Sequence, residues 1–79
     1  MDRDTITRTY TENVGRWVRV RYTDGVDQFV YIINVDEEGY VHKLNNDDDM
    51  QFWTTFDDVE SVCVLSDHDI AEQGLGTSP

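Results

Sequence analysis

From residue 16 to residue 65, apolar and polar side chains trade places in short runs that break at turn-forming residues. Alternation with a period of two marks a strand with one face buried. The first run, residues 16–22, sets Val18, Val20 and Tyr22 on one side and Trp17, Arg19 and Arg21 on the other. Thr23-Asp24-Gly25 closes it as a hairpin, with glycine supplying the positive φ. Residues 26–35 are apolar on both faces, Phe29, Tyr31, Ile33 and Val35 against Val30 and Ile32. Such a strand needs cover on both sides, which suits a central strand that bends. Asp36-Glu37-Glu38-Gly39 is the second turn.

Three further strands complete the pattern. Residues 40–44 place Tyr40, His42 and Leu44 opposite Val41 and Lys43. Residues 50–56 place Met50, Phe52 and Phe56 opposite Gln51, Trp53 and Thr55, after a polar loop at 45–49. Asp57-Asp58-Val59-Glu60 reads as a single 3₁₀ turn, and residues 61–65 as a fifth strand with Val62 and Val64 inward. Before the strands, Thr5, Thr7, Thr9 and Thr11 alternate with Ile6, Arg8, Tyr10 and Glu12, which favours an extended arm or short strand over a helix capped by Asp4. After them, Ser66 caps a short helix through Gln73, ended by Gly74. The chain therefore reads as one domain over 1–79, with a strand core at 14–65, a flexible arm at 1–12 and a mobile tail at 75–79.

Five short strands, tight turns and one long bent strand predict a mainly all-β fold, a small five-stranded antiparallel barrel with a short C-terminal helix. The segment Val14-Gly15-Arg16-Trp17-Val18-Arg19-Val20, followed by Asp24-Gly25 and by the long strand ending Val35-Asp36, resembles the SH3-like and Sm-like small barrels over residues 13–44. That resemblance implies a barrel and a ring-like or strand-paired assembly. It does not extend to the base-holding Asn of Sm-like proteins, since the turn here reads Glu37-Glu38-Gly39, nor to their second motif, replaced by Asp57-Asp58-Val59-Glu60.

Charge changes the picture most. The 79 residues carry 17 acidic and 6 basic side chains, a formal net charge of −11. Aspartate outnumbers glutamate twelve to five, and lysine occurs once. This Asp-rich, Lys-poor pattern resembles proteins of extreme halophiles. At about 1 M salt the Debye length is about 3 Å, so crowded carboxylates barely repel. The competing reading is an acidic DNA mimic or an inhibitor of a basic partner, steered by its field. A mimic would line carboxylates up at phosphate-like spacing, whereas these fall in turns and tails. No stretch approaches the roughly 20 apolar residues of a membrane span, and no apolar leader precedes the strands. A cytoplasmic protein with no membrane partner is expected.

Candidate chemistry is sparse. Cys63 is the only cysteine, which excludes an intrachain disulfide and thiolate zinc sites, and its apolar run predicts a buried residue. His42 has no nucleophile or thiol beside it in sequence. In Asp67-His68-Asp69, neighbours on a helix point in different directions, and Asp47-Asp48-Asp49 lacks the spaced ligands and glycine of a calcium loop. No catalytic residues, metal or cofactor are expected, and the chain reads as non-enzymatic. The expected interface is Trp17, Arg19 and Arg21 on the outer face of the first strand, with Trp53 outward on the fourth. It would serve a protein partner, either a second copy in a homo-oligomer or another chain. The alternative use is a nucleic acid held by the Arg16, Arg19 and Arg21 stripe, against an unfavourable overall charge.

Overall fold

The computed structural model describes residues 2–44 and 50–75. Its order is helix α1 (Arg3–Glu12), strands β1 (Trp17–Tyr22), β2 (Asp27–Val35), β3 (Gly39–Leu44) and β4 (Phe52–Thr55), a 3₁₀ turn (Phe56–Asp58), strand β5 (Val59–Val64) and helix α2 (Asp67–Glu72). The strands form one antiparallel sheet in the order β4-β3-β2-β1-β5. The mainly β, five-stranded antiparallel fold is as expected, but the barrel is not closed. Strands β4 and β5 remain the two edges, joined in sequence by the 3₁₀ turn. Register shifts at Ile32/Asn34 and Arg21/Tyr22 lie where β2 and β1 pair with β3 and β5.

The first correction concerns the N-terminus, which is helical and belongs to the core. Asp2, not Asp4, is the N-cap, its carboxylate accepting from the Thr5 amide at 2.8 Å. The alternating threonines that suggested a strand are also spaced four apart. Thr7, Thr9 and Thr11 donate their hydroxyls to the carbonyls of Arg3, Thr5 and Thr7. This satisfies the hydroxyls within the helix at a slight cost to it, which burial of its apolar side chains offsets. Asn13 then caps the C-terminal end, its side-chain amide donating to the Thr9 carbonyl at 2.7 Å. The one apolar pair at helical spacing, Ile6 and Tyr10, is buried.

The sheet is covered on both faces. One face carries Val18, Val20, Val30, Ile32, Tyr40, Val59 and Val62, closed by Ile6 and Tyr10 of α1 and by Phe56 of the 3₁₀ turn. The other carries Trp17 and Leu65, with Phe29 and Tyr31 beside them, under Ile70 of α2 and Leu75. The cap on α2 is the expected one. Ser66 accepts from the Asp69 amide while the Asp69 carboxylate accepts from the Ser66 amide, a reciprocal capping box. Leu75, expected in a mobile tail, is buried against Trp17. Residues 76–79 of that tail and the loop at 45–49 lie outside the described residues.

Two turns use glycine for different reasons. Gly25 has φ +90°, as the hairpin demands, and Asp24 accepts from the Val26 amide. Gly39 has an ordinary φ but no room. A Cβ there would lie 2.2 Å from the Thr54 carbonyl oxygen and 2.6 Å from the Trp53 ring. In β5, Val59 and Val62 are both buried although three residues apart, because the register shift opposite Arg21/Tyr22 turns Val59 inward, whereas Val64, expected inward on the same face as Val62, is exposed at the edge.

If α1 is an integral layer, Ile6→Ala lowers stability by about 2–4 kcal/mol in urea unfolding, through loss of buried methyl groups and the cavity left behind. Arg8→Ala, on the exposed side of the same helix, changes it by no more than about 0.5 kcal/mol. Equal, small effects would return residues 3–12 to the status of a loose arm.

Candidate functional site

The four residues expected to form an interface separate into three settings. Arg21 and Asp27 are direct cross-strand partners. The Arg21 Nε and Nη2 donate to the two carboxylate oxygens of Asp27 at 2.9 and 3.1 Å. Arg19 approaches the same carboxylate, Nη2 to Oδ2 at 3.7 Å. The hydrogen bonds from Arg21 hold the Asp27 carboxyl below its ordinary range. Exposed ion pairs of this kind add little stability. They do orient both guanidiniums toward a carboxylate of their own sheet.

Trp17 is on the outer face, as the alternation predicts, but it is only 5% exposed. Ile70 and Leu75 pack over it, and the Tyr31 ring meets it edge-on at 5.6 Å. The expectation of a solvent-facing indole is corrected because the C-terminal segment returns across β1. That segment roofs a cleft of about 490 Å³, with Arg16 and Asp67 among its lining residues.

Trp53 stays outward, 51% exposed. Its position is nonetheless fixed. The indole Nε1 donates to Asp36 Oδ2 at 2.9 Å, and its ring fills the space over Gly39. The other oxygen of Asp36 accepts from the Glu38 and Gly39 amides, each at 2.7 Å. The Trp53 bond first, then those two amides, hold the Asp36 carboxyl below its usual range. Phe52, the next residue along β4, pairs with His42 and belongs to the opposite face of the sheet. It is 40% exposed, and Met50 just before the strand is exposed too. Edge strand β4 thus carries a held indole on one face and a phenyl ring on the other.

No family model matches the chain, and no curated protein or solved structure does.

The inner face holds polar chemistry that the sequence pattern did not reveal. Tyr10 stacks on Tyr40 with ring centroids 4.2 Å apart. The Tyr40 hydroxyl lies 3.4 Å from that of Tyr22, which donates to Gln28 Oε1 at 2.7 Å. His42 Nε2 lies 3.0 Å from the Thr54 hydroxyl. The Tyr10 hydroxyl and His42 Nδ1 are buried with no hydrogen-bond partner. Burial pushes the phenols of Tyr10, Tyr22 and Tyr40 up and draws His42 down to about 4. All four side chains are therefore neutral at pH 7. Tyr10 and Tyr40 serve packing, while Tyr22 and His42 also line an open pocket beside Phe52 and Trp53. The only sequence signal for the outer layer of this cluster was the four-residue spacing of Ile6 and Tyr10 behind Asp2.

The remaining candidates lie apart. Cys63, expected buried, is exposed. It stands opposite Arg19 on the outer face of edge strand β5, whose inner positions are taken by valines. His68 faces Glu72 one helical turn on, Nε2 to Oε2 at 3.2 Å, on an exposed surface. Among the described residues no three His, Cys, Asp or Glu side chains are grouped closely enough to hold a metal ion. Asp47-Asp48-Asp49 falls outside them.

His42 gives the chain a pH-dependent term. Its folded pKa, about 4, lies below the unfolded value near 6.5. The unfolded chain takes up the proton first, so this stability is complete above pH 6.5 and is lost as pH falls toward 4. The loss amounts to about 3 kcal/mol at most. In chemical unfolding from pH 7.5 to 4.5, His42→Gln shows a shallower decline than the parent. Parallel curves would show that His42 ionises freely in the folded state.

Proposed function

We propose that this chain is a non-enzymatic protein-interaction module of a halophilic cytosol, working as a homo-oligomer or as the accessory subunit of another protein. The observation that carries the proposal is edge strand β4, with Phe52 and Trp53 exposed on its two sides and Met50 beside it. Large apolar side chains on an open sheet edge suit strand addition by a partner, backbone hydrogen bonds giving affinity and the rings giving specificity. The Asp36 bond and the fit over Gly39 support this reading, because an indole already held in place loses little freedom on binding. The interface accordingly centres on Trp53 and Phe52 instead of Trp17, Arg19 and Arg21.

The use of Arg16, Arg19 and Arg21 for nucleic acid gains no support, since two of the three share the carboxylate of Asp27. The halophilic assignment rests on composition, a net charge of −11 with a single lysine. No helix among the described residues is long and apolar enough to cross a membrane.

Sedimentation and thermal unfolding in about 50 mM and about 2 M KCl test the proposal together. The parent chain is expected to self-associate or to bind a partner at high salt, and Trp53→Ala with Phe52→Ala to abolish this without loss of fold. The melting temperature is expected to rise with KCl as carboxylate repulsion is screened. A monomer with no partner in a high-salt pull-down removes the interaction role, and a melting temperature indifferent to KCl removes the halophilic one.

A further inference from the structure

The cleft beneath α2 is a separate feature from the β4 edge. Its volume, about 490 Å³, lies within the roughly 300–1,000 Å³ typical of small-molecule sites. Its lining is largely apolar: Trp17, Tyr31, Ile70 and Leu75 contribute, with Trp17 and Tyr31 at an edge-on angle. Two residues of opposite charge, Arg16 and Asp67, line it as well. They come from different ends of the chain, one entering β1 and the other opening α2.

Among the described residues, neither Arg16 nor Asp67 makes an ion pair, with each other or with anything else. Arg19 and Arg21 differ in this respect, since both lean on Asp27. An anion entering the cleft gains Arg16 but meets Asp67 and a molecule of net charge −11. A simple cation meets Arg16. A molecule bearing one charge of each sign suits both, while its hydrocarbon part takes the apolar lining. Guanidinium is also the group best shaped to receive a carboxylate through two parallel hydrogen bonds.

We propose that this cleft binds a zwitterionic α-amino acid with a large apolar side chain. Its carboxylate meets Arg16, its ammonium meets Asp67, and its side chain lies against the Tyr31 ring and the small part of Trp17 that the cleft reaches. An aromatic side chain suits these rings best, since offset and edge-on aromatic contacts add to simple burial.

Trp17 reports directly on the cleft. In a Trp53→Phe variant it is the only indole, and L-phenylalanine adds no emission in its range. This variant is titrated with L-phenylalanine, 3-phenylpropionate and 2-phenylethylamine in about 0.2 M and about 2 M KCl. Amide chemical shifts of the unmutated chain are followed in parallel. The expected result is a saturable change with L-phenylalanine, at least about fivefold weaker binding of both singly charged analogues, and amide shifts centred on Gly15, Ala71 and Leu75. Arg16→Ala and Asp67→Asn, both surface changes, each weaken L-phenylalanine about tenfold with circular dichroism unchanged, the loss of one charge-assisted contact. Equal binding of either analogue overturns the zwitterion. Lack of saturation by about 20 mM, or shifts confined to β4, overturns the site.

Discussion

Trp17 and Val18 are neighbours in β1 and point to opposite sides of the sheet, yet both are buried. The rest of the structure follows from having to dry both faces of β1 and β2 at once. Among the described residues there is no second sheet to lay over the first. The chain uses its ends instead: α1 places Ile6 and Tyr10 on the Val18 face, and the α2 segment places Ile70 and Leu75 on the Trp17 face. Each cover is short, contributing only a few apolar side chains. Small cores are marginal for this reason. The cover on the second face also stops short of β4, which leaves Trp53 in solvent while Trp17 is enclosed.

Much of the sheet was legible in the sequence because strand alternation and turn chemistry are local. Val18, Val20 and Tyr22 inward against Arg19 and Arg21 outward, the Asp24-Gly25 hairpin, and the Ser66 cap all depend on residues within a few positions of each other. What misled were patterns with two periodic readings and contacts made from far along the chain. Threonine at every second position is also threonine at every fourth, and burial of Ile6 and Tyr10 behind the Asp2 cap is what favours the helix. No local pattern says that Leu75 returns to Trp17, a separation of 58 residues in the chain. Gly39 closes the expected turn after Asp36, but nothing local says that its lack of a Cβ also makes room for the Trp53 ring. The burial of Cys63 failed because the C-terminal segment that packs with Leu65, two residues on along the same face, does not cover it.

The same layout explains where chemistry is absent and where it is available. The inner face contains tyrosines and a histidine, which burial keeps neutral at pH 7. Most of the surface is acidic, and Arg19 and Arg21 of its few cations are engaged with Asp27. Two features stand apart from these: the β4 edge with a ring on each face, and the outer-face cleft under α2 with Arg16 and Asp67, which make no ion pair among the described residues. Their different chemistry, exposed rings against an open, largely apolar cleft with mixed charge, is the basis for proposing a protein partner at one and a small molecule at the other.

The central claim is that the two indoles occupy opposite environments because the C-terminal segment covers one and not the other. Acrylamide quenching of the single-tryptophan variants Trp53→Phe and Trp17→Phe tests it directly. The expected result is blue-shifted, poorly quenched emission from Trp17 and red-shifted, readily quenched emission from Trp53. Equal quenching of both, or a Trp17 more accessible than Trp53, would contradict it.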